Sequence, residues 1–103
     1  IRSLALKSAL SDKVRDGNLV VLDELKLPGP KTKEALNVLS RFEAVSGALV
    51  VTAETDSVLK AAFANIQGVK FSPVGNLNVY DLLRYPKLLI TKDALARVEE
   101  GLQ

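Results

Sequence analysis

Short apolar runs alternate with helix-length segments along this chain, and that alternation constrains the fold more than any other feature. Leu19 to Leu22, Ala48 to Val51, Val69 to Ser72 and Lys87 to Ile90 each have the length of a strand. Strands separated by helices of ten or so residues pair in parallel, joined by right-handed crossovers, with helices on both sheet faces. The unbroken apolar run Leu19 to Leu22 is the pattern of a strand covered on both faces. The fold class is therefore α/β.

The intervening segments carry helical periodicity. From Arg2 to Arg15, the residues Leu6, Ala9, Leu10 and Val14 recur at helical spacing, and Gly17 with Asn18 stops the helix. Pro28, Gly29 and Pro30 make a stiff connection, and Pro30 suits a first helical turn. A helix over 31–42 turns Ala35, Leu36, Leu39 and Phe42 toward the sheet. Asp56 or Thr55 caps the next helix, whose apolar face is Leu59, Ala62, Phe63 and Ile66. Asn78 and Asp81 have the spacing of a capping box, which predicts a short helix from Val79 to Arg84 ended by Pro86. In that segment Leu77, Leu82 and Leu83 are assigned to the core. Thr91 with Asp93 opens the last helix.

With 103 residues the chain makes one domain, 1–103, around a single core; a domain of this size buries only ~60 to 65% of the surface its unfolded chain exposes. Opening on Ile1, already inside a helical pattern, it is expected to be part of a longer protein with residues upstream. No apolar run approaches the ~18 to 20 residues that cross a bilayer. The absence of Cys and His excludes disulfides, fits a reducing compartment, and removes the usual zinc ligands and the His-dependent nucleophilic mechanisms. The net charge of +2 is too small to signal a polyanionic partner, so placement must decide.

Leu19-Val20-Val21-Leu22-Asp23-Glu24 resembles the strand of a P-loop ATPase that holds a magnesium-bound water and a general base. That chemistry also needs a phosphate-cradling loop, GxxxxGK[ST], and none occurs in these 103 residues. Asp23 and Glu24 are read as solvated residues at a strand end, with a nucleotide- or small-ligand-binding α/β domain as the alternative. Gly68 and Gly75 are isolated and begin no dinucleotide-binding turn. Glu99 and Glu100 are read as solvated.

The basic residues are unevenly spread. Residues 1 to 15 hold Arg2, Lys7, Lys13 and Arg15 against one acid, and residues 84 to 92 hold Arg84, Lys87 and Lys92 against none. Lys31 and Lys33 flank the Pro-rich loop. If the first helix and the 73 to 87 connection lie on neighbouring edges of the sheet, their bases form a positive face for phosphates; an ordinary solvated surface has the same composition. Within the connection, Asn76, Asn78, Tyr80, Arg84 and Tyr85 offer hydrogen bonds, a phosphate clamp and stacking surfaces to RNA, alongside their capping and turn roles.

The same residues carry a family resemblance. The opening helix Arg2-Ser3-Leu4-Ala5-Leu6-Lys7-Ser8-Ala9-Leu10-Ser11, the strand Leu19-Val20-Val21-Leu22-Asp23, and Pro30-Lys31-Thr32-Lys33-Glu34 come first. Ala48-Leu49-Val50-Val51-Thr52 and Gly75-Asn76-Leu77-Asn78-Val79-Tyr80-Asp81-Leu82-Leu83-Arg84, leading into Lys87-Leu88-Leu89-Ile90-Thr91-Lys92, follow. In this order they resemble the C-terminal globular part of the bacterial-type large-subunit ribosomal protein L4 family.

The resemblance implies a three-layer α/β/α sandwich with a four-stranded, mainly parallel sheet in the order 1-4-2-3. It implies a non-enzymatic protein with no cofactor and no metal, a structural constituent of the large ribosomal subunit that binds 23S-type rRNA and supports assembly. The partners implied are rRNA and neighbouring large-subunit proteins, in the cytoplasmic or an organellar ribosome, with no membrane and no obligate homo-oligomer. The RNA-binding candidates are Arg2, Lys7, Lys13, Arg15, Lys31, Lys33, Asn76, Asn78, Tyr80, Arg84, Tyr85 and Lys87. The family's long basic extension is expected upstream of this segment.

Overall fold

Leucine, valine and isoleucine dominate three of the four strands, and burial on both faces of the two central strands explains why those carry so few polar positions. The structure, a computed structural model, describes residues 2–101, with side chains over residues 4–100. The elements run α1 (Arg2–Arg15), β1 (Leu19–Leu22), α2 (Thr32–Arg41), β2 (Ala48–Thr52), α3 (Ser57–Ala64), β3 (Val69–Pro73), a 3-10 turn (Val74–Asn76), α4 (Val79–Arg84), β4 (Lys87–Thr91) and α5 (Lys92–Gly101).

The sheet order is β1-β4-β2-β3, and all three pairings are parallel. Register places Leu19 beside Leu88 and Leu88 beside Leu49, so that β4 bridges β1 and β2. Handedness explains the layers. The crossovers through α2 and α3 step one way across the sheet, whereas the return from β3 to β4 steps back. A right-handed return must pass over the opposite face. Accordingly, α2 and α3 pack with Val50, Ala48 and Leu89 on one face, while α1, α4 and α5 pack with Leu49, Val51, Leu88 and Ile90 on the other. This is the three-layer sandwich with order 1-4-2-3.

Local chemistry sets the helix ends. Gly17, with φ of 72°, takes the left-handed conformation after α1, and Asn18 N–H donates to Lys13 O at 2.9 Å. Asp56 Oδ1 accepts from the Val58 and Leu59 amides at 2.9 and 3.2 Å, so Asp56 rather than Thr55 caps α3. Thr91 Oγ1 accepts from Ala94 N–H at 3.3 Å and opens α5. Lys31, not Pro30, borders α2, without a side-chain cap. Glu43 ends α2 in the left-handed region, φ 56°, a position that no glycine marks in the sequence.

Four core expectations are corrected. Val21 is 42% exposed because β1 is an edge strand, paired on one side alone. Val14 lies exposed near the end of α1. Leu36 stands one position round from the buried stripe of Ala35 and Leu39, which turns it outward. Leu83, at 70% exposure, is likewise displaced from Leu82, the α4 residue that enters the core.

Burial therefore predicts opposite outcomes for two leucines. Leu89→Ala, in the middle of β4 and fully buried, should destabilise by about 2–5 kcal/mol. Leu83→Ala should stay within about 0.5 kcal/mol of the parent, as read from urea unfolding curves with unchanged slope.

Candidate nucleic-acid interface

The return crossover that places α4 in the same layer as α1 brings two basic segments together. Lys13, in the last turn of α1, donates through Nζ to Tyr85 O at 2.6 Å and to Pro86 O at 3.1 Å. One ammonium thus ties α1 to the turn between α4 and β4. Desolvation pulls its pKa below the ordinary lysine value, partly opposed by Asp16. The turn is also fixed from the sheet side, where a Cβ on Gly47 would meet Pro86 Cδ at 3.0 Å.

α4 is anchored from beneath. Asn78 Oδ1 accepts from Asp81 N–H at 2.9 Å, and Asn78 Nδ2 donates to Asn76 O and Asp81 Oδ2, each at 3.1 Å. Asp81, only 4% exposed, receives Lys70 Nζ from β3 at 2.8 Å. The buried carboxylate is therefore both paired and hydrogen-bonded, as low-dielectric surroundings require. This network uses Asn78 internally, so its amide belongs to the cap.

The outward face of α4 is free of acids. Arg84 Nη1 donates to Tyr80 Oη at 3.3 Å, and Arg84 Cζ lies 5.7 Å from the centroid of the Tyr85 ring. The Tyr80 hydroxyl bond is the main cause that raises the Arg84 pKa above its ordinary value. Tyr80 is exposed, whereas Tyr85 is half-buried against the α1–α4–α5 core.

The remaining candidates separate by position. Lys7 is exposed on α1 and borders a shallow apolar groove with Leu10, Val14 and Leu95. Lys87 is half-buried at the start of β4, where its register beside Ala48 sets it on the α2–α3 side of the sheet, and Asn76 is exposed in the 3-10 turn. Arg15 pairs with Asp12 at 3.0 Å and Asp16 at 3.6 Å, which offsets its charge locally. Lys31 and Lys33 are exposed at the start of α2, in the opposite helical layer, apart from the α1–α4 face. The Arg2 side chain lies outside the described residues. Leu83, which the sequence assigned to the core, joins Tyr80 and Arg84 on the surface; only its position relative to the Leu82 stripe signalled that.

Asp23 and Glu24 occupy the carboxyl end of β1, where open α/β sheets bind ligands. Asp23 Oδ1 meets Lys92 Nζ at 2.8 Å and Glu24 Oε2 meets Lys26 Nζ at 3.8 Å, all on exposed side chains. The surrounding cleft adds Glu54, Asp56 and Asp93, an acidic wall that repels nucleotide phosphates. Among the described residues, no group of three or more His, Cys, Asp or Glu side chains is placed to hold a metal ion. The hydrogen bond from Lys92 holds the Asp23 carboxyl below its ordinary value. The stability this pair adds is therefore present above the ordinary carboxylate value and lost as pH falls through the lowered one; full exposure keeps it small.

Together these features define a parallel three-layer α/β domain with an acidic strand end and a basic, aromatic helical face. The chain belongs to the ribosomal protein L4/L1 family, whose sequence profile matches residues 1–101. Over 102 residues it is 54% identical to the large ribosomal subunit protein uL4 of Desulforudis audaxviator, covering 99% of this chain and 49% of that protein. The uL4 of Moorella thermoacetica is 51% identical over 102 residues, with the same coverage. That of Clostridium kluyveri is 52% identical over 99 residues, covering 96% of this chain and 48% of the relative. The chain thus spans about half the length of the relatives it matches.

The Lys70–Asp81 contact should be measurable as a coupling. Lys70→Ala leaves a buried carboxylate short of a partner and should destabilise by about 1–3 kcal/mol. In a double-mutant cycle, the same change made on Asp81→Asn should have a clearly smaller effect.

Proposed function

We propose that this chain is a structural constituent of the large ribosomal subunit, binding 23S-type rRNA through the α1–α4 face and supporting subunit assembly. Membership of the family and the name of its relatives support the ribosomal placement. The single observation that carries the location of the interface is the Lys13 bridge, which fastens the basic helix α1 to the aromatic and basic α4 turn. Its partners are then large-subunit rRNA and adjacent large-subunit proteins, in a cytoplasmic or organellar ribosome. The 103 residues act as one folding unit within a longer protein.

The chemistry follows from rigidity and charge. Lys7 presents its ammonium group from a regular helix, so no further backbone ordering opposes its contact with phosphate. Each phosphate contact releases condensed counterions, which makes affinity depend on salt. Lys31 and Lys33 face away from that surface and contribute a separate, weaker contact. The carboxyl ends of β1, β2 and β4, lined by Asp23, Glu24, Glu54, Asp56 and Asp93, turn away from the RNA.

Binding to a matching rRNA fragment over a series of salt concentrations tests this. Changing Lys7 to Ala should reduce the slope of log affinity against log salt by roughly 0.7 to 0.9 for each phosphate that is no longer neutralised. Arg97→Ala is the control, since Arg97 pairs with Glu54 at 3.3 Å on the acidic side. If Lys7→Ala keeps both affinity and slope while the Arg97 change weakens binding, the interface lies elsewhere.

A further inference from the structure

Three side chains on α4 lie outside the core. Tyr80 is 67% exposed and Leu83 70%, three positions apart and hence neighbours on the helix surface. Arg84 stands four positions from Tyr80 and binds its hydroxyl. The inward positions of the same helix are fully employed, with Leu82 in the core and Asp81 held by Lys70. The outer face thus combines a tyrosine ring, a guanidinium plane and a branched apolar group, and the ion pair of the buried Asp81 with Lys70 holds the helix to β3.

The way Arg84 is held distinguishes the ligand. A bidentate phosphate clamp uses two of the five guanidinium donors with the edge of the plane turned outward. Here one donor goes to Tyr80 Oη, and the guanidinium carbon lies 5.7 Å from the Tyr85 centroid. The cation is spread across aromatic surface, which suits stacking. Phosphate gains nothing from Leu83 or from the face of Tyr80, whereas a nucleobase uses both. Within a duplex, each base has its faces covered by its neighbours, so only an unpaired base offers the complementary surface.

We propose, resting on the RNA-binding reading above, that Tyr80, Leu83 and Arg84 form a stacking platform for one unpaired base of the bound RNA. The charge of the surroundings favours RNA over a protein surface. Arg84 and Lys87 are the only charged residues from 82 to 91, and α1, which carries Lys7, packs against α4. The platform supplies a contact independent of salt beside the salt-dependent ones and selects looped over paired RNA.

The chain provides its own reporter, because it has no Trp and its two tyrosines, Tyr80 and Tyr85, both lie at this site. Tyrosine emission and affinity are measured with two probes, an RNA hairpin with an adenine-rich loop and a blunt, fully paired RNA duplex with the same number of phosphates. The hairpin should bind more tightly and quench the emission. Tyr80→Ala and Leu83→Ser should each weaken hairpin binding by about five- to hundredfold, the range for losing one stacked base. The salt slope should not change, because stacking releases no counterions. Arg84→Lys, which keeps the charge and loses the plane, should erase most of the preference for the hairpin while duplex affinity holds. Equal binding of both probes without quenching overturns the platform. Unchanged hairpin affinity in Tyr80→Ala and Leu83→Ser also overturns it, while salt-dependent RNA binding would leave the broader function standing. Absence of salt-dependent binding to either probe removes both.

Discussion

β4 hydrogen-bonds to β1 on one side and to β2 on the other, although it is the last strand in the chain. Until it is inserted, β1 and the β2–β3 pair share no ladder, and both core clusters lack a wall: Leu89 for one, Leu88 and Ile90 for the other. Closing the sheet is therefore a long-range event in which backbone pairing and apolar burial arrive together. Parallel strands that join distant parts of a chain require such loop closure before any contact rewards it. The helical layers follow, since right-handed return to the gap sends α4 to the face opposite α2 and α3.

That return also sorts the charges. The carboxyl strand ends gather Asp23, Glu24, Glu54, Asp56 and Asp93, while the layer of α1 and α4 presents Lys7 and Arg84 with exposed Tyr80. A net charge of only +2 conceals this separation. For a polyanionic partner, local potential governs approach and orientation more than the sum of charges. The acidic end, placed where α/β proteins often bind nucleotides, is electrostatically suited to remain apart from phosphate. Its Lys92 and Arg97 partners are engaged with Asp23 and Glu54, which keeps that end from becoming a second basic surface.

α4 shows how few residues a fixed exposed surface needs when its underside is held. Its six residues could not hold a helix in isolation. Asn78, Lys70 and Asp81 lock its start to β3, while Lys13 locks the turn after it to α1. The buried Asp81 carboxylate is satisfied by these partners and would be costly without them. The outer residues are left free of structural duty, and their orientation is set by a backbone with little freedom.

Hydrophobic period and capping chemistry determined much locally. The four strands, the helices between them, the Asn78 cap and the stop at Gly17 were legible because each depends on residues within one turn or one strand. Family resemblance supplied the strand order, which periodicity alone left open. Of the interface, residue types were legible but employment was not: Lys13 is committed to two carbonyls, Asn78 to a cap and Arg15 to Asp12 and Asp16. Leu83 and Val21 show the same limit from the apolar side, because an alternation or a helical stripe tells which residues can be covered and not whether another element arrives to cover them. Sequence settled what each segment prefers through local sterics and hydrophobic patterning. Only the tertiary structure decided that α1 and α4 share a layer, since the packing of residues far apart in the chain depends on where the last strand enters the sheet.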